Sequence, residues 1–406
     1  MIQIATSRED AAALDAEDPL AARRGQFGIP AGTIYLVGHS LGPQPTAARQ
    51  KAQAAMDAWQ HDLVRGWNTA DWIDLADRTG ARIARLIGAE AVSVTVTDNV
   101  SVNLFKLAVA ALSLARQPVI AIEDDEFPTD QYIAAEIGRL LGLDVRRAAP
   151  GEGFAALGTG GVLIKSAVNY RSAEVADIAA YEEEARRHGA MIVWDLSHAT
   201  GVRALSLEAD GALMATGCTY KYLNGGPGAP AFVYLARDIA NRVSSPLPGW
   251  MGHKAPFAFD AMYEPRDGAA RFASGTPPIL SLSALDGALD AFDGVQMSAL
   301  QAKAEALGTL AIARACALGL DMRSPAEGHR RGGHISLRIN DGYPVVQALA
   351  AQGVLADFRA PETVRLGFSP LFLTYAQVWD AMEALGEILQ SRSWDRPEFH
   401  RREKVT

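Results

Sequence analysis

The stretch whose reading decides the fold lies between Met191 and Pro230: MIVWDLSHATG at 191–201, then GCTYKYLNGGPGAP at 217–230. MIVWD is an unbroken apolar run closed by Asp195, with His198 three residues on. Such runs belong to strands of a parallel sheet whose two faces are both covered. A carboxylate at the carboxyl end of such a strand sits on the edge where open α/β sheets bind ligands. Lys221, set between Tyr220 and Tyr222 before a glycine-proline loop, would face the same crevice.

Working outward, short apolar runs alternate with helical ones. Upstream, AVSVTVT (91–97), PVIAIE (118–123) and GVLIKSAV (161–168) read as strands. VNLFKLAVAALSLA, TDQYIAAEIGRLLG and EVADIAAYEEEARRHG between them repeat at three and four, as helices do. ALMATG and AFVYLA flank the glycine-rich loop as further strands. Two helical stretches precede all of this, the first starting at Thr46 behind Pro45 as an N-cap candidate. Past residue 280 the texture changes to one long helical stretch from LSLSALDGALDAF to ALGTLAIARACALG, then HISLRI, VVQALAAQG, VRLGF and a final helix. The fold class expected is α/β: a large domain around a mainly parallel sheet and a smaller α+β C-terminal domain. The divisions expected are an N-terminal segment 1–45, a large domain 46–280 whose first helices could pack on the small one, and a small domain 281–406.

Composition sets the outer limits. The 406 residues are 49% hydrophobic and 21% charged, with a net charge of −9. An acidic chain without a dense basic block is a poor partner for nucleic acid or an anionic membrane. Cys218 and Cys316 are too few for a disulfide framework or a structural zinc site. The first residues lack the basic-then-apolar pattern of a secretory signal, and no run of about 18 apolar residues occurs, so a cytoplasmic protein is expected.

Elimination narrows the chemistry. There is no G-x-x-x-x-G-K-[ST] loop, no G-x-G-x-x-G between strand and helix, and no H-E-x-x-H, so nucleotide and metal sites have no support. A strand-end aspartate and a lysine before a tight loop are the two groups that pyridoxal 5′-phosphate (PLP) requires: one keeps the pyridine nitrogen protonated, the other forms the Schiff base. A surface Asp, a solvated Lys and an ordinary turn would leave the same letters. DNVSVNLFK puts Ser101 where a helix starts after a strand, a natural anion site or an ordinary cap. In EFPTD, Phe127 could stack on a planar ring, and Asp130 is either a polar contact or a first-turn acid.

These motifs, with YLVGHSLGP, SAVNYRS, PLPGWMGH, PFAFD, YEP and RFASGTPPILSL, resemble kynureninases, PLP enzymes of the aspartate-aminotransferase-like fold (fold type I). The resemblance covers nearly the whole chain. It implies that Lys221 is the Schiff-base lysine and moves a proton between Cα and the cofactor. It implies Asp195 as the pyridinium partner, His198 beside it, Phe127 on the ring, and Asp130 and Ser166 as polar contacts. Val100, through its backbone, and Ser101 would hold the phosphate. Tyr220 would hold phosphate and relay a proton to the product. Trp250 and Thr276 would reach the phosphate from the neighbouring subunit, which implies a homodimer. Arg365, in VRLGFSP, would clamp the substrate carboxylate bidentately, with Ser40 and Trp67 also at the substrate. Lys221, Tyr220 and Asp195 would be the catalytic residues, and no metal is expected. The activity implied is hydrolysis of L-kynurenine to anthranilate and L-alanine, with 3-hydroxykynurenine as a further substrate to test.

The chain departs from that family's pattern in places. His39 stands where an asparagine is usual, RSAEVAD follows Tyr170 where Thr-Gly and His-Asp pairs are usual, and Asn99 and Val100 replace more hydroxylated residues. Trp67, Met251 and Thr276 look more like the bacterial arrangement, which favours unsubstituted kynurenine. The alternatives are a relative acting on a ring-modified kynurenine, another fold type I enzyme such as an aminotransferase or cysteine desulfurase, and a PLP-binding sensor.

Overall fold

The computed structural model describes residues 5–402. Its centre is a seven-stranded sheet in the order Val94–Val96, Phe232–Leu235, Met214–Gly217, Met191–Asp195, Val162–Ser166, Val119–Glu123 and Asp144–Ala148. From Met214–Gly217 to Asp144–Ala148 every pairing is parallel. Phe232–Leu235 runs antiparallel to both its neighbours. Two reversals return Val94–Val96 to the majority direction. Thr97, Ser166, Asp195 and Gly217 therefore emerge on one edge.

The apolar strands are continuous because alternate side chains feed two layers. Ile192 and Trp194 join Ile178 and Ala185 on one face; Met191 and Val193 join Leu104, Leu107 and Ile137 on the other. Asp144–Ala148 was not foreseen, because DVRRA is polar. It is the outermost strand, mostly accessible to water, where charged side chains deter further pairing.

The C-terminal residues build a four-stranded antiparallel sheet in the order Asp357–Arg359, Thr363–Gly367, His334–Arg338, Asp321–Met322. Helices Met297–Ala317, Gly342–Ala351 and Tyr375–Ser391 accompany it. The single long helical stretch expected after residue 280 is instead Ile279–Ala288, a short 3-10 turn Leu289–Phe292, and Met297–Ala317. Gly294, at φ 72°, interrupts it with a backbone conformation no helix accepts. Thr46 likewise is not a cap: it is the first helical residue, and extended Pro45 precedes it. Near the N-terminus, Ile34–Tyr35 pairs in parallel with Val354–Leu355, so residues 34–35 are stitched to the C-terminal part of the chain. Among the described residues no helix is long and apolar enough to cross a membrane.

Candidate functional site

The shared edge of the large sheet gathers most of the expected residues. Ser166 and Asp195 are register partners on adjacent parallel strands, so they stand side by side at the strand ends. Asp195 Oδ1 accepts the Ser197 amide at 2.8 Å, which turns the chain sharply and brings His198 over the edge. His198 Nε2 lies 2.9 Å from Lys221 Nζ. The Lys221 ammonium is 6.0 Å from the centre of the Phe127 ring and 5.9 Å from that of Tyr220. Phe127 packs edge-on against Tyr170, 5.2 Å between ring centres, and leaves 40% of its surface open.

Asp130 lies one turn into the Pro128–Leu141 helix that Phe127 begins. It is buried, and neither carboxylate oxygen has a partner. Burial, then the charges of Asp195 and Glu126, push its carboxyl well above the usual range. Glu126 is held by Lys165 at 3.0 Å and by the Ser166 amide at 3.1 Å. His198 Nδ1 is likewise buried and unpartnered, and burial with the Lys221 charge holds the ring neutral. A neutral imidazole can accept from the Lys221 ammonium. The Tyr220 phenol is pushed above its ordinary range by Cys218 and by burial, so it stays a proton donor.

Helix Val100–Leu114 opens at the same edge. Its cap is Asn99, whose side chain accepts the Val102 amide at 3.1 Å, so Val100 and Ser101 form the first turn and Ser101 is not the cap. The unbonded amides of such a turn, together with the helix dipole, attract an anion. Behind it, buried Lys106 bonds Asp98 at 2.6 Å and the Phe272 carbonyl at 2.5 Å, and Ser274 Oγ donates to Asp98 at 3.2 Å. That ties the turn to the segment carrying Thr276. A cleft of about 670 Å³ opens here, lined among others by Ser40, Asn99, Tyr220, Met251 and Thr276.

Two expected residues, Trp250 and Trp67, stand apart from this cluster within one chain, whereas Arg365 meets it through Tyr170, which packs on Phe127. Trp250 packs edge-on against Phe257 at 5.5 Å in a separate groove with His253 and Phe259. Trp67 packs edge-on against Trp72 at 6.0 Å and does not line the cleft. Arg365 is buried and engaged: Nη1 donates to the Tyr170 carbonyl at 2.7 Å, Nη2 bonds the Asp357 carboxylate, and Nε has no partner. Cross-strand register dictates the Asp357 contact, since the two residues face each other across the antiparallel pair.

Sequence reasoning missed Asp357, His334 and the significance of His39. His39 Nε2 lies 3.3 Å from Asp357 Oδ2, and its ring stacks on His334 at 5.1 Å. His198 closes the group, 5.5 Å from His334. Only the family departure at His39 hinted at it.

The chain can now be set beside known proteins. The kynureninase C-terminal domain pattern matches residues 300–385. The kynureninase of Pseudomonas fluorescens is 43% identical over 415 residues, covering 99% of this chain and 100% of that one. A kynureninase of Burkholderia mallei is 43% identical over 416 residues, covering 98% and 100%. Among solved structures, a complex of a cystine C-S lyase with cysteine persulfide is 18% identical, with a TM-score of 0.75 over 88% of this chain and 98% of that one. A variant of that lyase with glycine linked to its PLP cofactor has a TM-score of 0.77 at 17% identity, over 90% of this chain and 99% of that one. At such distance these structures share the fold: the mainly parallel sheet is that of fold type I. The full-length identity says more, and on it the chain belongs to the kynureninase family.

Proposed function

We propose that this chain is a PLP-dependent kynureninase, hydrolysing the Cβ–Cγ bond of L-kynurenine to anthranilate and L-alanine in tryptophan catabolism. The observation that carries this reading is 43% identity to kynureninases along essentially the whole chain. The residues at the sheet edge suit PLP. Asp130 offers two buried, unpartnered carboxylate oxygens, and a buried polar atom of that kind calls for a ligand. Asp195 would face the pyridine nitrogen, Phe127 the ring, and the Val100–Ser101 turn the phosphate. When bound, PLP supplies an electron sink conjugated to the substrate Cα.

The chain's own groups would do the rest. Lys221 would hold the cofactor and then take up the Cα proton. His198, neutral and 2.9 Å away, would steer the amine without adding charge. Tyr220 would deliver a proton to the departing β carbon, which becomes the alanine methyl. Water's oxygen goes to Cγ, which becomes the anthranilate carboxylate. Arg365 would bind the α-carboxylate. A guanidinium has five N–H donors, and its bonds to Tyr170 and Asp357 leave others, Nε–H among them, to offer.

The assembly proposed is a homodimer in which Trp250 and Thr276 complete the partner's site. Exposed Phe257, Phe259 and Met262 near Trp250 support it, since apolar side chains so grouped usually meet a partner. The domain division proposed remains 1–45, 46–280 and 281–406, the first attached to the third through the Ile34–Val354 pairing. A cytoplasmic location is proposed with it. Buried Cys218 gives persulfide chemistry of the desulfurase kind no support.

The test is anthranilate fluorescence after mixing PLP-loaded protein with L-kynurenine, with 3-hydroxykynurenine alongside. Rapid anthranilate release supports the reading. An intact cofactor spectrum with no product from L-kynurenine overturns it in favour of a ring-modified substrate.

A further inference from the structure

We propose that His39 takes up a proton when an amino-acid carboxylate docks at Arg365, so that substrate binding is coupled to proton uptake. This rests on the reading of Arg365 as the carboxylate clamp. Charge buried in this part of the fold has to balance. Arg365 and Asp357 are both buried and bonded to each other, so the ligand-free cluster is close to neutral. A substrate carboxylate on Arg365 leaves two anions against one buried cation. Isolated buried charge is costly enough that a nearby group changes protonation instead.

His39 is the group in place to do so. It is fully buried, and its Nε2 is 3.3 Å from the carboxylate whose partner is being shared. Neither ring nitrogen has a well-formed hydrogen bond, so a proton gained there can strengthen the contact to Asp357. The groups facing it account for its neutral resting state. Burial and the Arg365 and Arg359 charges oppose protonation, and Asp357 alone favours it; the flanking rings of His334 and His198 are themselves neutral. Lys221 lies beyond His198. The balance sets the ring at about 4 without ligand. An added anion tips it upward. Arg359 also approaches Asp357, at 3.2 Å, but its side chain is 41% exposed and solvent screens it. An asparagine at position 39 has no proton to gain, so the coupling belongs to this chain's histidine.

The experiment compares wild-type holoenzyme with His39→Asn. Each is mixed, in weak buffer with a pH indicator, with L-alanine or with ethylamine, which has the amine but no carboxylate. L-Alanine should draw up to one more proton per site into the wild type than into His39→Asn, and ethylamine should show no such difference. Equal uptake by both proteins with L-alanine overturns the proposal, whether His334 takes the proton or Arg359 supplies the balance. A cofactor absorbance unmoved by L-alanine overturns the clamp reading itself, and the proposal with it. His39→Gln, checked by its cofactor spectrum, repeats the comparison should the asparagine variant fold poorly.

Discussion

Glu182 carries a stability prediction whose sign follows from its burial. It is buried on the Ile178–His188 helix, and Trp194 Nε1 donates to it at 2.8 Å. Burial pushes its carboxyl up to about 7 against an ordinary 4.5, the indole bond only partly opposing. Between those two values the folded protein keeps a proton that the unfolded chain gives up. Its contribution is therefore whole below about pH 4.5 and lost by about pH 7. At about 1.4 kcal/mol per pH unit the loss amounts to about 3 kcal/mol. Glu182→Gln keeps an acceptor for the indole but has nothing to ionise. The variant should match the wild type at about pH 4.5 and exceed it by about 3 kcal/mol at about pH 8. Urea unfolding of both holoenzymes, followed by circular dichroism at the two pH values, reads the difference directly. A gap of equal size at both would refute the reasoning, because only ionisation makes it grow with pH.

Lys221→Ala should abolish the borohydride-reducible linkage to PLP, and persistence of a reducible linkage would remove Lys221 from its proposed role. Arg365→Ala should raise KM for L-kynurenine by roughly ten- to a hundredfold, the worth of a hydrogen bond to a charged group; unchanged steady-state kinetics would sink the clamp. Gly42→Ala puts a methyl 2.3 Å from Asn224 Oδ1 and 2.4 Å from the Lys221 carbonyl. Overpacking of that kind costs about 1–3 kcal/mol; a lower melting temperature and weaker PLP retention should follow, and wild-type values of both would contradict the crowding.

The half of the candidate site that lies along the edge of the large sheet is legible in the sequence because each residue sits at a punctuation mark. Asp195 ends an apolar run, Phe127 precedes a helix-starting proline, and Lys221 precedes a glycine-rich loop. Strand-to-helix switches fall on one sheet edge, so spacing alone brings Asp195, His198, Phe127 and Lys221 together. The other half is not legible that way. Asp357 lies on a three-residue strand with no periodicity to betray it, and it meets Arg365 through cross-strand register. His334 reads as one more residue of HISLRI, and only tertiary packing stacks it on His39, far away in the chain. The edge strand Asp144–Ala148 hid behind its charges for the opposite reason, having too little apolar surface to signal burial.

The pairing of Ile34–Tyr35 with Val354–Leu355 bears on the order in which this molecule can be made. Every strand of the large sheet lies between residues 94 and 235, so that sheet has all its partners once residue 235 has left the ribosome. The segment bearing His39 and Ser40 emerges before that sheet and waits until well after it is complete, its partner strand lying at residues 354–355. Contacts so distant in sequence form late. A growing chain thus acquires the edge proposed to cradle PLP before the wall proposed to grip the substrate, and a chain cut short ahead of residue 354 would keep the first without the second.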